Sequence, residues 1–196
     1  MHLLVIDNGS LTTHLIARRA VGLGWRATIV HHTSLTSRRS AARWDAVVTS
    51  GTAVPVTSGR FDDQLQFIRE CSTPLLGICG GMQLIARAYQ TGIAPQDPIV
   101  GRTVVSLDRS APLFAGMPRT VELFQRHRYR VSDVQAAFRR IATSRSCPTE
   151  AIAHRTRPLY GIQAHVELRP DGERILRRFL AAAGGSTHGS QGDADA

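Results

Sequence analysis

The sequence contains no lysine, so arginine supplies all 24 Lys and Arg residues among its 196 positions. Against 15 Asp and Glu residues, these arginines give a formal net charge of +9. They are dispersed in short pairs, and no nucleic-acid-binding motif with interleaved aromatic residues accompanies them, so we expect no nucleic-acid ligand. The charge equally suits an anionic partner protein. The pairs are Arg18-Arg19, Arg38-Arg39, Arg139-Arg140 and Arg177-Arg178.

Cysteine is also scarce, with Cys71, Cys79 and Cys147 far apart in the chain. An odd number of widely spaced cysteines does not suit a disulfide framework and is typical of a reducing compartment, so we expect a cytoplasmic location. No Cys-x-x-Cys pair or Cys/His cluster has the spacing of a metal site, so we expect no metal. The other candidate ligands are interpreted as surface or strand-end residues. They are His31, His32, His127 and His154.

Long apolar runs are missing as well. No segment approaches the roughly 18 apolar residues of a membrane-spanning helix. The first residues, MHLLVID, lead directly into a strand pattern and lack the basic region and long apolar core of a secretory signal. We therefore expect neither a membrane segment nor export.

In the first half of the chain, strand patterns alternate with helix patterns. Such alternation predicts a parallel sheet covered by helices on both faces. The predicted strands cover residues 2–7, 27–31 and 45–49, and the predicted helices cover residues 10–21, 61–71 and 80–89.

The second half is rich in short strand patterns, which predict antiparallel hairpins at the edge of the sheet before the last strand returns to its centre. A closing helix and a Gly/Ser/Asp-rich tail follow, and we expect the tail to be disordered. One domain of residues 1–183 is therefore predicted. The strands are expected at residues 100–107, 121–124, 139–143, 151–154 and 159–164, the helix at 170–183 and the tail at 184–196.

The segment GICGGMQ, residues 77–83, joins an apolar strand directly to a helix pattern at Cys79. A strand that turns abruptly into a helix forces its corner residue into a strained conformation, and flanking glycines relieve the crowding because they lack a Cβ. This is the cysteine form of a nucleophile elbow, and the helix N-terminus favours thiolate there. The alternative is a buried structural cysteine in a tight turn.

A second segment, GIQAHVE at residues 161–167, ends an apolar strand with His165 and Glu167. A nucleophilic thiol needs a base, and that base needs an acceptor to fix its tautomer. Because parallel strands bring their carboxyl ends to one edge of a sheet, we expect these two residues to lie beside Cys79. A structural histidine at a strand end is the alternative.

These two segments resemble the signatures of the class I (triad) glutamine amidotransferases, G-x-C-x-G-x-Q and G-x-Q-F-H-P-E. The opening LVIDNGS with THLI behind it, and IATS followed by Cys147-Pro148, resemble the glutaminase domain of GMP synthetase. The resemblance implies an α/β, flavodoxin-like three-layer sandwich, with a mostly parallel central sheet and an antiparallel extension. It also implies hydrolysis of L-glutamine, with no cofactor.

The resemblance assigns roles to individual residues. Cys79 is the nucleophile, His165 the proton carrier and Glu167 its orienting partner. Backbone N–H groups near Gly51 and Thr52, and of Gly80, form the oxyanion hole. Substrate-binding roles fall on Gln83 in the helix and on Arg128 and Tyr129, which lie where relatives place a loop lining the glutamine pocket.

The sequence departs from the family pattern at two places. The usual Ser-Gly-Gly-Pro loop is here Ser50-Gly51-Thr52-Ala53-Val54-Pro55, so Thr52 replaces the second glycine. We expect its side chain to resist the peptide orientation that the oxyanion hole needs. Ala164 and Val166 replace the usual Phe and Pro, without expected consequence for the chemistry.

The chain is too short to hold a synthetase domain as well, so the resemblance implies a separate ATP-dependent synthetase that receives the ammonia. GMP synthesis is the preferred pathway. Two alternatives remain open from the sequence. One is a stand-alone γ-glutamyl hydrolase or peptidase with the same triad, and the other is an inactive regulatory homologue.

Overall fold

The computed structural model describes residues 1–35 and 44–185 of the chain. Within these residues, nine strands form one mixed sheet in the order β2-β1-β3-β4-β9-β8-β7-β5-β6. The strands are β1 His2–Asn8, β2 Arg26–His31, β3 Ala46–Thr52, β4 Leu75–Ile78, β5 Ile93–Leu107, β6 Thr120–Val131, β7 Phe138–Ser144, β8 Ala151–His154 and β9 Leu159–Ile162. The α-helices are α1 Thr13–Gly22, α2 Asp62–Glu70, α3 Gly80–Ala88 and α4 Pro170–Gly185.

Helices cover the parallel part of the sheet on both sides, as the strand–helix alternation predicts. Strand β1 shows why, because its side chains alternate between two apolar cores. Leu3 and Val5 pack in the core under α1 and α4, whereas Leu4 and Ile6 pack in the core under α2 and α3. Strands β2, β1, β3, β4 and β9 are parallel, and β8, β7, β5 and β6 are antiparallel. The expected three-layer architecture is confirmed.

The β5–β6 hairpin is much longer than expected. Strand β5 begins at Ile93 although its first half contains Pro95 and Pro98, and the pairing with β6 shifts register between Pro95 and Ile99. A shift of this kind accommodates proline because the ladder does not need its missing N–H. Strand β6 runs on through the segment that contains Arg128 and Tyr129, so the loop expected there is in fact a strand.

Other boundaries differ by a few residues. Helix α1 starts at Thr13 instead of residue 10, because Ser10 to Thr12 form a hydrogen-bonded loop after β1. Strand β3 continues to Thr52 and therefore includes the first three residues of the expected oxyanion loop. Helix α4 takes in Gly184 and Gly185, the first two residues of the expected tail. The remainder of that tail and the pair Arg38-Arg39 lie outside the described residues.

Strands β4 and β9 are direct parallel neighbours, with Ile78 opposite Ile162. The corner at Cys79 and the segment after β9 therefore emerge side by side at one edge of the sheet. Among the helices that the structure describes, none is both long and apolar enough to cross a membrane.

Candidate active site

Cys79 occupies the corner between β4 and α3. Its φ of 51° and ψ of −109° lie outside the conformations that ordinary L-residues adopt easily. The surrounding structure holds this conformation, because the Cys79 N–H donates to the Ile162 carbonyl at 2.8 Å and the Cys79 carbonyl accepts from the Gln83 N–H at 3.2 Å. The side chain is mostly buried and faces a cavity.

The corner requires glycine at Gly77 because helix α3 folds back directly over the strand. A Cβ built on Gly77 would lie 2.5 Å from the carbonyl carbon of Gly81. Real side chains do not tolerate such a distance to a backbone atom. The strand can turn so abruptly into a helix only because this position lacks a side chain.

His165 and Glu167 follow β9 and lie beside Cys79. The Nδ1–H of His165 donates to Glu167 Oε1 at 2.7 Å, and the Cys79 side chain lies close enough to the imidazole to raise its pKa. The His165 N–H donates to the Phe124 carbonyl at 2.9 Å, which fixes the backbone from the β6 side. The structure therefore brings the three predicted side chains together in one row, with His165 between Cys79 and Glu167.

The surroundings of His165 favour its protonated form. Burial lowers the pKa of His165, but hydrogen bonds to Cys79 and Glu167 and the negative charges of both groups outweigh it and raise the pKa to about 10. Glu167 is fully buried, and no partner among the described residues contacts its Oε2. His165 can therefore carry a proton at neutral pH while it lies between Cys79 and Glu167.

A further contact to Glu167 comes from the β1–α1 loop. The Thr12 hydroxyl donates to Glu167 Oε1 at 2.5 Å, and the Ser10 hydroxyl lies 3.1 Å from that of Thr12. Sequence analysis missed Thr12, which is separated from Glu167 by 155 positions. The segment DNGS indicated the loop, but nothing in it indicated that partner.

The backbone expected to form the oxyanion hole surrounds the thiol. A Cβ built on Gly51 would lie 3.5 Å from Cys79 Cβ and 3.3 Å from His165 Cε1. One built on Gly80 would lie 2.8 Å from the Thr52 backbone nitrogen. Thr52 has no positive φ, and its hydroxyl accepts from the Val54 N–H at 3.1 Å. The structure therefore accommodates this threonine in ordinary extended backbone.

Gln83 lies one turn into α3, with its carboxamide at the cavity. Its Nε2 donates to the Tyr129 carbonyl at 3.0 Å and to Gln163 Oε1 at 3.2 Å. Gln163 in turn points its Nε2 at the Cys79 sulfur, at 3.7 Å. Gln163 was not singled out, although it is the glutamine of the motif G-x-Q-F-H-P-E.

The interpretation of His127 as a surface or strand-end residue is wrong. It lies within β6 and lines the cavity, only 8% exposed. Burial lowers the pKa of His127 more than its hydrogen bond to the Tyr129 carbonyl raises it, and the nearby charge of His165 lowers it further. His32 is also buried, in contact with Phe61.

The cavity holds about 620 Å³ and has Cys79 and His165 in its wall. Gln83, Arg128 and Tyr129 line it as well, so the predicted substrate-binding residues surround one space. Five of the exposed side chains that line it, from four segments, are called the mouth below. They are Leu11, Val54, Val100, Arg126 and Arg128.

The described residues contain no group of three or more His, Cys, Asp and Glu side chains arranged to hold a metal ion. Cys71, Cys79 and Cys147 are all buried and free of disulfides.

The chain resembles known proteins along most of its length. The model of the family "Glutamine amidotransferase class-I" matches residues 4–183. One of the subunits of the glutamine-hydrolyzing GMP synthase of Pyrococcus furiosus is 30% identical over 185 residues, which cover 93% of this chain and 98% of that protein. The corresponding protein of Methanocaldococcus jannaschii is 30% identical over 187 residues, covering 93% and 97%.

Solved structures of other proteins share the fold of this chain. A putative GMP synthase subunit from Thermoplasma acidophilum superposes with a TM-score of 0.88 at 28% identity, covering 95% of this chain and 96% of that one. A glutamine amidotransferase from Thermotoga maritima shares the fold, with a TM-score of 0.75 at 18% identity, covering 96% and 86%. The chain belongs to the class-I glutamine amidotransferase family.

Proposed function

We propose that this chain is the glutaminase subunit of a two-subunit glutamine amidotransferase. It hydrolyses L-glutamine to glutamate and ammonia and passes the ammonia to a separate ATP-dependent synthetase of the GMP-synthase type. The observation that carries the proposal is the buried row of Cys79, His165 and Glu167 at the wall of the cavity. Relatives named as subunits of a glutamine-hydrolyzing GMP synthase support this function over a stand-alone γ-glutamyl hydrolase.

The first half of the reaction forms a thioester. The Cys79 thiolate attacks the side-chain amide carbon of glutamine, and backbone N–H groups near Thr52 and of Gly80 receive the charge on the oxygen. One such donor is worth on the order of 10²–10³ in rate in other acyl-transfer enzymes. His165 then gives its proton to the departing nitrogen, while Glu167 holds the ring in place. Ammonia leaves, and the γ-glutamyl group stays on sulfur.

The second half hydrolyses that thioester. A water molecule takes the place of ammonia and gives a proton to the now neutral His165 as it attacks the carbonyl carbon. The C–S bond breaks, and glutamate and the thiolate–imidazolium pair are formed. The residues that touch the reacting atoms are therefore sufficient for both halves.

The amino-acid end of the glutamine substrate would lie against the part of the cavity wall formed by Gln83, Arg128 and Tyr129. Both N–H bonds of Gln83 have acceptors in Tyr129 and Gln163, so its oxygen is the atom left to accept from the substrate ammonium group. Arg128 lines the cavity with an exposed guanidinium group, and we assign it to the substrate carboxylate. Tyr129 contributes its carbonyl, which holds Gln83 and His127 in position.

The composition of the mouth is evidence that a partner protein docks there and covers the cavity. Leu11 and Val100 are 81% and 70% exposed there, beside Arg126 and Arg128. Apolar side chains next to exposed cations are typical of a surface that binds an apolar and acidic partner. Val54 belongs to the mouth as well and bonds to Thr52 through its N–H. A synthetase docked on the mouth would therefore press on the oxyanion loop.

The test measures glutamate and ammonia released from L-glutamine by the purified chain, alone and with the synthetase component of a GMP synthase, ATP and its acceptor nucleotide. Glutamine hydrolysis that rises when the partner is added is the expected result, with a Cys79→Ala variant inactive throughout. γ-Glutamyl amine conjugates hydrolysed as fast as glutamine without the partner would identify a γ-glutamyl hydrolase instead. No hydrolysis under any condition would identify an inactive homologue.

A further inference from the structure

Glu167 accepts from two residues through one oxygen. His165 Nδ1 and the Thr12 hydroxyl both reach Oε1, at 2.7 Å and 2.5 Å. The carboxylate is completely buried, and Oε2 has no partner among the described residues. Its orientation therefore depends on two hydrogen bonds at a single atom, and only one of them comes from the imidazole that it has to orient.

Thr12 is the N-cap residue of α1, with φ of −109° and ψ of 6°. A threonine at this position usually accepts a hydrogen bond from a backbone N–H of the first helical turn, which stabilises the helix end. Here the side chain makes no capping bond. The hydroxyl instead donates across the molecule to Glu167, so its main contact serves the site and not the helix.

The loop in turn fixes the Thr12 hydroxyl. The Thr12 N–H donates to Ser10 Oγ at 3.3 Å, and Ser10 Oγ lies 3.1 Å from Thr12 Oγ1. Because the Thr12 proton is used for Glu167, Ser10 has to be the donor in the second contact. Ser10, Thr12 and Glu167 therefore form a directed chain of hydrogen bonds that ends at the carboxylate.

We propose that Thr12 is a positioning residue of the glutaminase, which holds the Glu167 carboxylate in the orientation that His165 requires. The proposal rests on the function proposed above. It assigns Thr12 no contact with glutamine, because its hydroxyl is already committed to Glu167. The effect of removing it should therefore appear in kcat and not in KM.

The test compares Thr12→Val, which keeps the branched shape and loses the hydroxyl, with Thr12→Ser, which keeps the hydroxyl. Thr156→Val is the control, since the exposed Thr156 hydroxyl likewise makes a side-chain hydrogen bond, 3.4 Å from His154 Nδ1, but outside the cavity. We expect Thr12→Val to lower kcat roughly tenfold or more, the value of a hydrogen bond to a charged group, with KM for glutamine within about twofold. Thr12→Ser and Thr156→Val should stay near wild type.

A second measurement needs no glutamine. The rate at which iodoacetamide alkylates Cys79 reports the thiolate, which the imidazolium stabilises. We expect slower alkylation in Thr12→Val than in Thr12→Ser. If the wild-type chain proves inactive on glutamine but this order holds, the proposed function fails and the role of Thr12 stands. If Thr12→Val does not fold, Thr12→Ala takes its place.

Equal kcat and equal alkylation rates in Thr12→Val and wild type would overturn the proposal. So would equal losses in the valine and serine variants, because that result would place the effect in packing and not in the hydroxyl.

Discussion

The side-chain methyl group of Thr52 occupies the space that a side chain on Gly80 would need. A Cβ built on Gly80 would lie 2.5 Å from Thr52 Cγ2. Position 80 is the variable residue of the motif G-x-C-x-G-x-Q, and here it is glycine. The threonine in the oxyanion loop and the glycine after the nucleophile are therefore sterically matched.

Gly80→Ala should therefore be destabilising. Overpacking of this kind costs about 1–3 kcal/mol, which exceeds the gain of less than about 1 kcal/mol from alanine in a helix. Adding Thr52→Gly removes the contact with Cγ2 and leaves only the 2.8 Å approach to the backbone nitrogen of residue 52, so the double variant should be more stable than the sum of the single changes predicts. Urea denaturation of all four proteins measures this coupling, expected at about 0.5–3 kcal/mol. Strict additivity would show that the two residues do not compete for space.

Thr52→Gly alone should increase the glutaminase activity of the isolated chain. Glycine lets the peptide between Gly51 and residue 52 turn its N–H towards the oxyanion, whereas a β-branched residue restricts it. The increase in kcat without partner should be several-fold, below the roughly 10²–10³ of a complete oxyanion donor. Thr52→Val keeps a β-branched side chain at this position and should show no increase in kcat. An unchanged kcat in Thr52→Gly would show that this side chain does not limit the isolated enzyme.

Glu167→Gln should move the alkaline limb of the pH–rate profile to lower pH. Hydrogen bonding and negative charge from Glu167 help to raise the pKa of His165 to about 10. Without the carboxylate that pKa falls, so the proton needed by ammonia is lost at lower pH. We also expect kcat to fall by about 10²-fold or more. The exposed Glu122→Gln serves as control, and an alkaline limb that stays in place would argue against this origin of the shift.

Val100→Asp should reduce the stimulation of glutaminase activity by the synthetase without changing the activity of the chain alone. Val104→Asp is the matched control, since Val104 lies on the same strand with 63% exposure against 70% but does not line the cavity. An acidic side chain in the mouth would oppose an apolar and acidic partner. Titration of each variant with the partner measures the effect. Equal responses of both variants would place the docking surface elsewhere.

The sequence predicts the elbow because its signals are local. The apolar run before Cys79 and the glycines around it dictate a strand–turn–helix, and the apolar strand before His165 fits only the centre of the sheet. Parallel pairing of β4 with β9 then brings both residues to one edge. Hydrophobic pattern and topology are sufficient for this part of the site.

Strand β6 cannot be predicted from the hydrophobic pattern because its buried positions are polar. Gln125 and His127 point inward, where apolar residues would show the alternation of a strand, and Gln125 Nε2 donates to the buried Glu150 at 2.7 Å. Hydropathy therefore gives no strand signal there, and the loop that the resemblance implies is in fact a strand lined with hydrogen bonds. The contact of Thr12 with Glu167 could not be predicted for another reason, since only the folded chain brings the two residues together.

The most direct test is mass spectrometry of the chain quenched with acid during turnover of glutamine. Trypsin releases residues 70–87 as one peptide, which contains Cys79 and also Cys71 as an internal control. Burial raises the pKa of Cys71, so it should remain unmodified. The account predicts a γ-glutamyl thioester on Cys79 alone, absent from Cys79→Ala. Glutamine hydrolysis that proceeds without any adduct on Cys79, or unchanged in Cys79→Ala, would contradict it.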